Sequence, residues 1–455
     1  MKFALREVGR VLNTPVDSDA IVTGWSVDSR TINPGELFFA LRGPAHDGSD
    51  YIPAAFERGA IAAVGGTGSG ACVRSASKTG LPACFLSVPD PQAALEHLAA
   101  WARNQWAGDV IGVTGSAGKT STKDVIAQML SSQFSTGKTT GNFNNHVGLP
   151  LSILRLPDEA RVAVLEIGMN HAGEIRHLCG IAKPRIGVVT NVGYAHIEMF
   201  DSIEGIALAK RELIECLPAD GIAVLNNDDP HVRKFSDIHP GPVLRFGFSE
   251  GSDVRAQDVE PRAGGTRFRV CGTTFETALQ GRHAVLNILA GLAVAQIYGI
   301  APANLVDVVA ALQPGKMRGE RLVHNNITIL NDCYNSNPDA VHAMLDVLKD
   351  TPAQRRIAVI GEMLELGRWS EKLHREIGRY AVETGVNVLV GIRGAARSTV
   401  DAAKESGLPV NAAYFFEDPA EAGGELRHLA HEGDAILFKG SRGTRVDRAL
   451  ERFLE

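Results

Sequence analysis

The sequence predicts an α/β protein of three domains, built mainly on parallel sheets. The first observation is its length of 455 residues, which is enough for two or three domains that each bury a core. The second is that short apolar strands alternate with helices, as in parallel sheets covered by helices. The third is the 48 glycines, which indicate many tight strand–helix turns. We expect the domains to span residues 1–105, 106–312 and 313–455.

The composition argues against several classes of protein. A net charge of −6 gives no basic field that would attract nucleic acid. The six cysteines are scattered without a Cys-x-x-Cys pair, so we expect neither disulfides nor zinc. Arg6, Glu7 and Arg10 stand where a signal peptide would need an apolar core. The most apolar run, residues 284–300, is short for a membrane span, so we expect a buried helix in a cytoplasmic protein.

The first predicted domain carries polar loops beside its strands. Arg30 follows one strand run, and Asp47 lies in the loop after the next. A guanidinium offers a planar fork of donors and a carboxylate accepts from hydroxyls, so these loops suit a phosphate or a sugar. Either residue taken alone is more typical of a solvated loop. The stretch from Gly65 to Gly80 is expected to be a surface loop.

The central predicted domain is organised around a glycine-rich turn. An apolar strand from Val110 runs into this turn, and a helix begins near Lys119. Backbone N–H groups in such a turn bind phosphate together with the helix dipole, while the lysine meets the outer phosphates and Thr120 a magnesium ion. Val113 occupies the first glycine position of the common G-x-x-x-x-G-K-[ST] rule, so this is a variant nucleotide loop. Its residues are Thr114, Gly115, Ser116, Ala117, Gly118, Lys119, Thr120 and Ser121.

Two later strands of this domain end near residues able to hold a metal ion. Glu166 ends one buried strand, and His196 lies just beyond the next. Because the carboxyl ends of parallel strands meet at one edge, we expect both near the nucleotide loop. A carboxylate and an imidazole suit a divalent ion that neutralises phosphate charge; a strand cap and a surface histidine are the alternatives. Lys210 falls on the apolar face of a predicted helix, where a lysine usually reaches the edge.

Other polar residues have two possible uses. Asn144, Asn145 and His146 suit hydrogen bonding to a polar ligand, but asparagine also fills turns for conformational reasons. Asn287 lies on an apolar helix face, where it is either a partner for another helix or a contact for adenine.

The third predicted domain reads as a Rossmann-like, doubly wound sheet. Buried strands are expected from residue 327 and within 356–367, 388–391 and 434–442, and helices such as 370–384 alternate with them. The central domain, in contrast, is expected to contain a mostly parallel sheet of the P-loop type. We find no heptads, internal repeats or low-complexity tails in the sequence.

Several motifs together resemble the Mur ligase family, across all three predicted domains. They are DSRTINPGELFFALRG, TGSAGKTST, GNFNNHVGLP, LEIGMNHAGEI, LNDCYNSNP, GEMLELG and KGSRG. The resemblance implies an ATP-dependent amide ligase of peptidoglycan precursor synthesis, which joins D-alanyl-D-alanine to UDP-N-acetylmuramoyl-tripeptide through an acyl phosphate and releases ADP and phosphate. We expect small-molecule substrates and a monomer, with no nucleic-acid partner and no membrane insertion.

The resemblance also implies roles for individual residues near the phosphates. Lys119 and Thr120 would hold the phosphates and one Mg²⁺ ion, while Glu166 and His196 would bind the metal. Lys210 matches the lysine that becomes carbamylated in this family. A carbamate would turn a cation into an anion able to stabilise the metal, whereas an ammonium would be repelled.

The remaining roles concern the nucleotide and the two substrates. Asn287 would contact adenine and Arg318 a phosphate, although the sequence MRGER also permits Arg321. The substrate-binding residues would be Ser29, Arg30, Asp47 and Gly48 for the uridine nucleotide, Asn144, Asn145 and His146 for the sugar-peptide, and Asp332, Tyr334, Asn335 and Asn337 for the dipeptide.

Two other functions stay open. One is another amide ligase of the same superfamily, either a diamino-acid-adding ligase or a folylpolyglutamate synthetase; the YNSNP loop argues against both. The other is a GTP-dependent switch or binding protein without ligase activity. No guanine-reading stretch of the NKxD type follows the nucleotide loop, which argues against this second reading.

Overall fold

The computed structural model describes residues 1–43, 46–67 and 84–455, and it confirms the predicted α/β fold. Each of its main sheets lies within one of the three predicted segments. The exact domain boundaries at 105 and 312 stay a prediction.

The N-terminal part forms a two-stranded antiparallel pair and a four-stranded parallel sheet in the order β3-β4-β5-β6. Its elements are β1 (Phe3–Ala4), α1 (Leu5–Val11), β2 (Ile21–Val22), β3 (Gly24–Ser26), β4 (Glu36–Phe39), α2 (Ile52–Glu57), β5 (Ala62–Gly66), β6 (Cys84–Val88) and α3 (Pro91–Gln105). Gly65, expected in a surface loop, instead belongs to β5. A side chain there would meet Phe85 and Ile52 at 2.8 and 3.3 Å, so the close packing requires glycine. Residues 68–80 of that expected loop lie outside the described residues.

The central part contains a seven-stranded sheet in which all neighbours are parallel, in the order β13-β12-β11-β10-β7-β9-β8. Its elements are β7 (Asp109–Thr114), α4 (Lys119–Leu130), β8 (Thr136–Lys138), α5 (Gly148–Leu154), β9 (Val162–Glu166), α6 (Glu174–Ala182), β10 (Ile186–Val189), α7 (Ile203–Glu215), β11 (Ile222–Asn226), β12 (Val243–Gly247) and β13 (Val254–Arg255). Helices cover both faces, so β7 is a continuous apolar run whose Val110, Ile111 and Val113 are all buried.

A three-stranded antiparallel sheet follows, which the sequence reading did not foresee. Its elements are β14 (Gln257–Arg262), β15 (Gly265–Val270) and β16 (Thr273–Thr277), followed by the helices α8 (Arg282–Ile297) and α9 (Val306–Ala310). Phe268 and Phe275 stack with their ring centroids 5.4 Å apart and fix one face of the sheet. The expected apolar helix is α8, which is largely buried. Within the described ranges, no helix is long and apolar enough to cross a membrane.

The C-terminal part is a six-stranded sheet in the order β17-β18-β22-β19-β20-β21, in which β17 alone runs antiparallel. Its elements are β17 (Glu320–His324), β18 (Ile327–Asp332), α10 (Pro338–Asp350), β19 (Arg356–Gly361), α11 (Ser370–Glu383), β20 (Val388–Ile392), α12 (Ala396–Glu405), β21 (Ala413–Phe416), α13 (Pro419–Leu429), β22 (Ala435–Lys439) and α14 (Val446–Leu454). Ile357 and Ala358 on β19 belong to two different hydrophobic clusters, one on each face. The predicted doubly wound sheet is therefore confirmed.

Candidate active site

A cavity of about 480 Å³ lies at the carboxyl edge of the central parallel sheet and is closed by the C-terminal part of the chain. It brings together most of the residues expected at the nucleotide and the metal. The predicted residues that line it are Ser116, Ala117, Gly118, Lys119, Thr120, Ser121, Asn144, Glu166, His196, Asn287, Arg318, Asp332, Tyr334, Asn335 and Asn337.

The nucleotide loop is clamped by the segment that follows β10. Asn191 accepts a hydrogen bond from the Ala117 N–H at 2.8 Å, and its side-chain amide donates to the Ala117 carbonyl at 3.0 Å. The Thr190 hydroxyl donates to the same carbonyl at 2.7 Å. A side chain on Gly115 would collide with that hydroxyl. Sequence reasoning missed Thr190 and Asn191, although their place at a parallel strand end was the available signal.

Gly118 lets the loop pack directly against α8. It has a left-handed φ of +80°, and a Cβ there would lie 2.8 Å from Oδ1 of Asn287. The same Oδ1 accepts a hydrogen bond from the Thr122 hydroxyl at 3.0 Å. Asn287 therefore joins α8 to α4, one of its two sequence interpretations, and it also lines the cavity.

Lys119 bends back onto its own loop. Its Nζ donates to the Gly115 carbonyl at 2.7 Å and lies 3.5 Å from the Ser116 carbonyl. Loss of solvent lowers the pKa of the ammonium; the charge of Glu166 opposes that shift and Arg318 adds to it. An anion entering the cavity would meet this cation at the base of the loop.

Glu166 presents a carboxylate oxygen without a partner. The side chain is only 1% exposed; Oε1 accepts from the Asn144 amide at 2.7 Å, and Oε2 is buried with no hydrogen bond among the described residues. A buried, unpaired carboxylate oxygen is unfavourable without a cation or a donor. Asn144 thus holds the carboxylate and leaves one oxygen for a ligand.

The protein alone supplies few metal ligands here. In the described part of the chain, no group of three or more His, Cys, Asp or Glu side chains could enclose an ion. Magnesium commonly takes one or two carboxylates and completes its shell with phosphate oxygens and water. Glu166, with the Thr120 hydroxyl and His196 in the same cavity, therefore fits an ion that arrives with a phosphate.

His196 is paired with a residue from the C-terminal part. Its Nδ1 lies 2.6 Å from Oε2 of Glu365, and this hydrogen bond is the main reason that the pKa of the Glu365 carboxyl falls below its usual value. Glu365 belongs to the GEMLELG motif, which gives this residue no role on its own. Nothing local could assign one, because the contact spans 169 positions, from 196 to 365.

Lys210 is buried on α7 without compensation. It is 2% exposed, and no hydrogen bond or ion pair joins its amine to another described residue. Burial, and then the charge of Lys119, lowers its pKa well below the usual 10.5. It is absent from the described residues that line the cavity. It does not snorkel to the surface as lysines on apolar faces usually do.

Of the two arginines that could reach a phosphate, Arg318 lines the cavity and Arg321 contacts the turn between β14 and β15. The guanidinium carbon of Arg318 lies 3.8 Å from the ring centroid of Tyr334, and both residues line the cavity. Arg321 instead donates to the backbone carbonyl of Ala263, in the turn between β14 and β15. The geometry favours Arg318 as the residue that reaches a phosphate.

The C-terminal wall of the cavity contains a partly buried ion pair. Nζ of Lys439 lies 2.5 Å from Oδ2 of Asp332 and donates to the Asn335 carbonyl at 3.0 Å. Asn337 caps α10 by accepting from the Ala340 N–H at 2.9 Å. Lys439 lines the cavity and was not singled out from the sequence, although it begins the quoted KGSRG motif.

Two residues expected at the sugar-peptide lie outside this cavity. Oδ1 of Asn145 accepts from the Gly148 N–H at 2.9 Å, at the start of α5. The His146 carbonyl accepts from the Gln92 amide at 2.7 Å. Asn145 thus has the turn-forming use, and a substrate role for either residue stays a prediction.

The residues expected to hold the uridine nucleotide also lie elsewhere, in the N-terminal part. Arg30 forms an ion pair with Asp28 at 2.7 Å, and Oδ2 of Asp47 accepts from Arg42 at 3.0 Å. Ser29 is buried, and the Gly48 N–H donates to a backbone carbonyl. The structure does not bring these four residues to the main cavity.

Comparison with known proteins assigns the chain to a family. The family model for the Mur ligase middle domain matches residues 113–295, the model for the glutamate ligase domain matches 317–442, and the model for the Mur ligase family catalytic domain matches 21–103. The UDP-N-acetylmuramoyl-tripeptide–D-alanyl-D-alanine ligases of Bacillus subtilis and Escherichia coli are 32% and 33% identical to it. Each comparison covers 98% of this chain and 96% of the relative.

Solved structures agree with this assignment. MurF from Acinetobacter baumannii has a TM-score of 0.88 at 26% identity and covers 100% of this chain and 99% of its own. MurF from Thermotoga maritima, solved in complex with ADP, has a TM-score of 0.81 at 30% identity over 95% of this chain and 97% of its own. Family models along the sequence and relatives matched end to end lead to one conclusion: this chain belongs to the Mur ligase family.

Proposed function

We propose that the protein uses ATP to join D-alanyl-D-alanine to UDP-N-acetylmuramoyl-tripeptide, as a ligase of peptidoglycan precursor synthesis. The observation that carries the proposal is the single cavity that joins the nucleotide loop to the polar C-terminal wall. Relatives named for this reaction match nearly the whole chain, which supports the same substrates.

ATP would bind with its phosphates on the nucleotide loop. A neighbouring cavity of about 320 Å³ shares Ser121, Asn287 and Arg318 with the main one, and it offers a place for the base. Backbone N–H groups at the start of α4 and the Lys119 ammonium supply the positive field that phosphates require. When ATP binds, the Lys119 Nζ would leave the two loop carbonyls that it contacts and bind phosphate oxygens instead.

Magnesium would be held by Oε2 of Glu166, the Thr120 hydroxyl and the His196 imidazole. When bound, the ion neutralises charge on the transferring phosphate. Glu166 fits this role because its free oxygen has no hydrogen-bond partner among the residues that the structure describes. Asn144 would keep that oxygen directed into the cavity.

The reaction would run in two displacements. A carboxylate oxygen of the tripeptide attacks the γ-phosphorus, and the bond to ADP breaks. The amine of the dipeptide then attacks the acyl carbon, inorganic phosphate leaves, and the amine proton passes to a base or solvent. The cavity walls would contribute mainly by holding both reactants in line, which is worth several kcal/mol of barrier.

The dipeptide would lie against Asp332, Tyr334, Asn335 and Asn337. A free dipeptide carries an ammonium and a carboxylate, and the Lys439–Asp332 pair offers one partner of each sign. The uridine nucleotide would lie on the N-terminal part near Ser29, Arg30, Asp47 and Gly48. Each domain would thus bind a different substrate, as the sequence motifs imply. The protein would act as a monomer.

Lys210 would act as a carbamate. Burial lowers the pKa of its amine and so favours the neutral form, which is the form that reacts with carbon dioxide. The nitrogen adds to the carbon of CO₂, a proton is lost, and the resulting anion balances Lys119. A buried amine with no other described partner supports this modification.

The decisive test measures ADP release with the UDP-linked tripeptide and a panel of amino substrates. D-Alanyl-D-alanine should be required for sustained turnover, whereas glutamate, diaminopimelate and L-alanyl-L-alanine should give at most background. Turnover with glutamate or diaminopimelate instead would assign the chain to another reaction of the family. Nucleotide hydrolysis at the same rate with and without the carboxylate and amine substrates would exclude a ligase.

A further inference from the structure

Contacts from the C-terminal part hold His196 in place. Nδ1 of His196 lies 2.6 Å from Oε2 of Glu365, in the loop after β19. Both residues have left-handed backbone, with φ values of +61° and +62°. Because non-glycine residues adopt this conformation only where their surroundings impose it, the two backbones are fixed by the fold.

Additional contacts attach the loop of Glu365 to the segment of His196. The Glu198 N–H donates to the Glu365 carbonyl at 3.1 Å. Arg368, from the same loop, donates to the Asp201 carbonyl at 2.9 Å. The carboxylate of Glu365 is therefore held beside the imidazole by one backbone hydrogen bond and one side-chain hydrogen bond, and its position depends on docking of the C-terminal part.

The pairing determines which imidazole nitrogen is free. A carboxylate at Nδ1 favours the tautomer with hydrogen on that nitrogen, so that Nε2 keeps its lone pair. His196 lines the same cavity as Glu166, whose Oε2 has no described partner. Both residues thus line one cavity, and each has one ligand atom, a nitrogen or an oxygen, without a hydrogen bond among the described residues.

We propose that Glu365 is a positioning residue for the metal site, so that the central domain completes this site only when the C-terminal domain is docked. The inference rests on the proposed role of Glu166 and His196 as magnesium ligands. Carboxylates that orient a metal-binding histidine typically contribute about 10- to 100-fold in metal affinity. Glu365→Ala should therefore weaken metal binding by about that factor, and Glu365→Gln, which keeps an acceptor oxygen, by less.

The experiment uses Mn²⁺ as a paramagnetic probe on the full chain with saturating ADP and no other substrate. Continuous-wave EPR gives the affinity, and electron spin echo modulation reports whether an imidazole nitrogen binds the ion. Wild type should give nitrogen coupling that His196→Ala lacks. Glu365→Ala should weaken affinity and coupling together, whereas the matched control Glu371→Ala, at an exposed glutamate in the first turn of α11, should keep both.

The outcomes separate this inference from the proposed function. Wild-type affinity and coupling in Glu365→Ala would overturn the positioning role and leave the proposed function standing. A Glu371→Ala loss equal to that of Glu365→Ala would also overturn it, since removal of any nearby negative charge would then explain the effect. Unchanged coupling in His196→Ala would remove the metal assignment itself, and the inference with it.

Discussion

Replacing Lys210 by methionine should make the protein more stable and inactive. Lys210 as a residue is 2% exposed and its amine has no described hydrogen-bond partner, so the folded chain leaves a largely buried polar group unpaired among the described residues. Mutational data put such burial at about 1–3 kcal/mol. Methionine keeps a flexible stem of similar length without the amine. In buffer freed of CO₂, we expect the free energy of unfolding to rise by about 1–3 kcal/mol and ligation to be lost.

The direction in which stability changes with pH provides an independent test of the same reasoning. Because the folded pKa of Lys210 lies below the usual 10.5, the unfolded chain binds an extra proton between the two values. Stability of the unmodified wild type should therefore rise with pH through this window, up to about 10.5, and the methionine variant should lack that contribution. Below the folded pKa both states are protonated, so the slope is zero and the destabilisation from the buried Lys210 ammonium is greatest.

The assay is urea unfolding followed by circular dichroism, with and without added bicarbonate. Bicarbonate should stabilise wild type and restore its ligation rate, and it should do neither for Lys210→Met. A methionine variant less stable than CO₂-free wild type, together with a wild type that ignores bicarbonate, would refute the reasoning from an uncompensated amine.

Two further predictions concern the nucleotide loop. Lys119→Ala should lower the ligation rate by about 100- to 1000-fold, the usual effect of removing one preorganised positive group, with an unchanged circular dichroism spectrum; near-normal turnover would contradict its phosphate role. Gly118→Ala should cost about 1–2 kcal/mol of unfolding free energy because φ is +80°, and it should weaken ADP binding in calorimetry by displacing Asn287. Gly180→Ala is the matched control: it lies inside α6 with open space around it, so it should stabilise by about 0.5–1 kcal/mol; a loss equal to that of Gly118→Ala would remove the conformational argument.

The features predicted correctly from the sequence are those with local causes. Strand β7, the glycine turn and α4 follow one another within twenty-odd residues, so hydrophobic pattern and turn chemistry were enough to find them. The sheet β14–β16 was missed because β14 is exposed along nearly its whole length and β16 buries only alternate residues, so no continuous apolar run marks these strands. Gly65 was misjudged because its need for glycine comes from Phe85 and Ile52, which only the packed sheet brings near.

The site shows the same division between local and distant causes. Glu166 and His196 could be placed at one edge because parallel strands align their carboxyl ends. Asn145 could not be separated from Asn144, since turn-forming and ligand-holding asparagines look alike in sequence. Glu365 and Lys439 depend on contacts between distant parts of the chain, and no spacing rule encodes such contacts.

The strand order of the central sheet has a consequence for how the chain folds. Strand β7 pairs with β9 on one side and β10 on the other. Asp109 therefore pairs with Val162, and Ile111 with Ile186, which both lie far along the chain and are synthesised later. Pairing between such remote strands requires a large loop to close, and the entropy cost of this closure comes before the favourable strand contacts form. Such strand pairs therefore form slowly. During synthesis the apolar β7 would stay unpaired until those later segments are available. Its apolar side chains and unpaired backbone groups would then be exposed and prone to aggregation. Chaperone demand in the cell should therefore depend on this one strand more than on the locally connected N-terminal sheet.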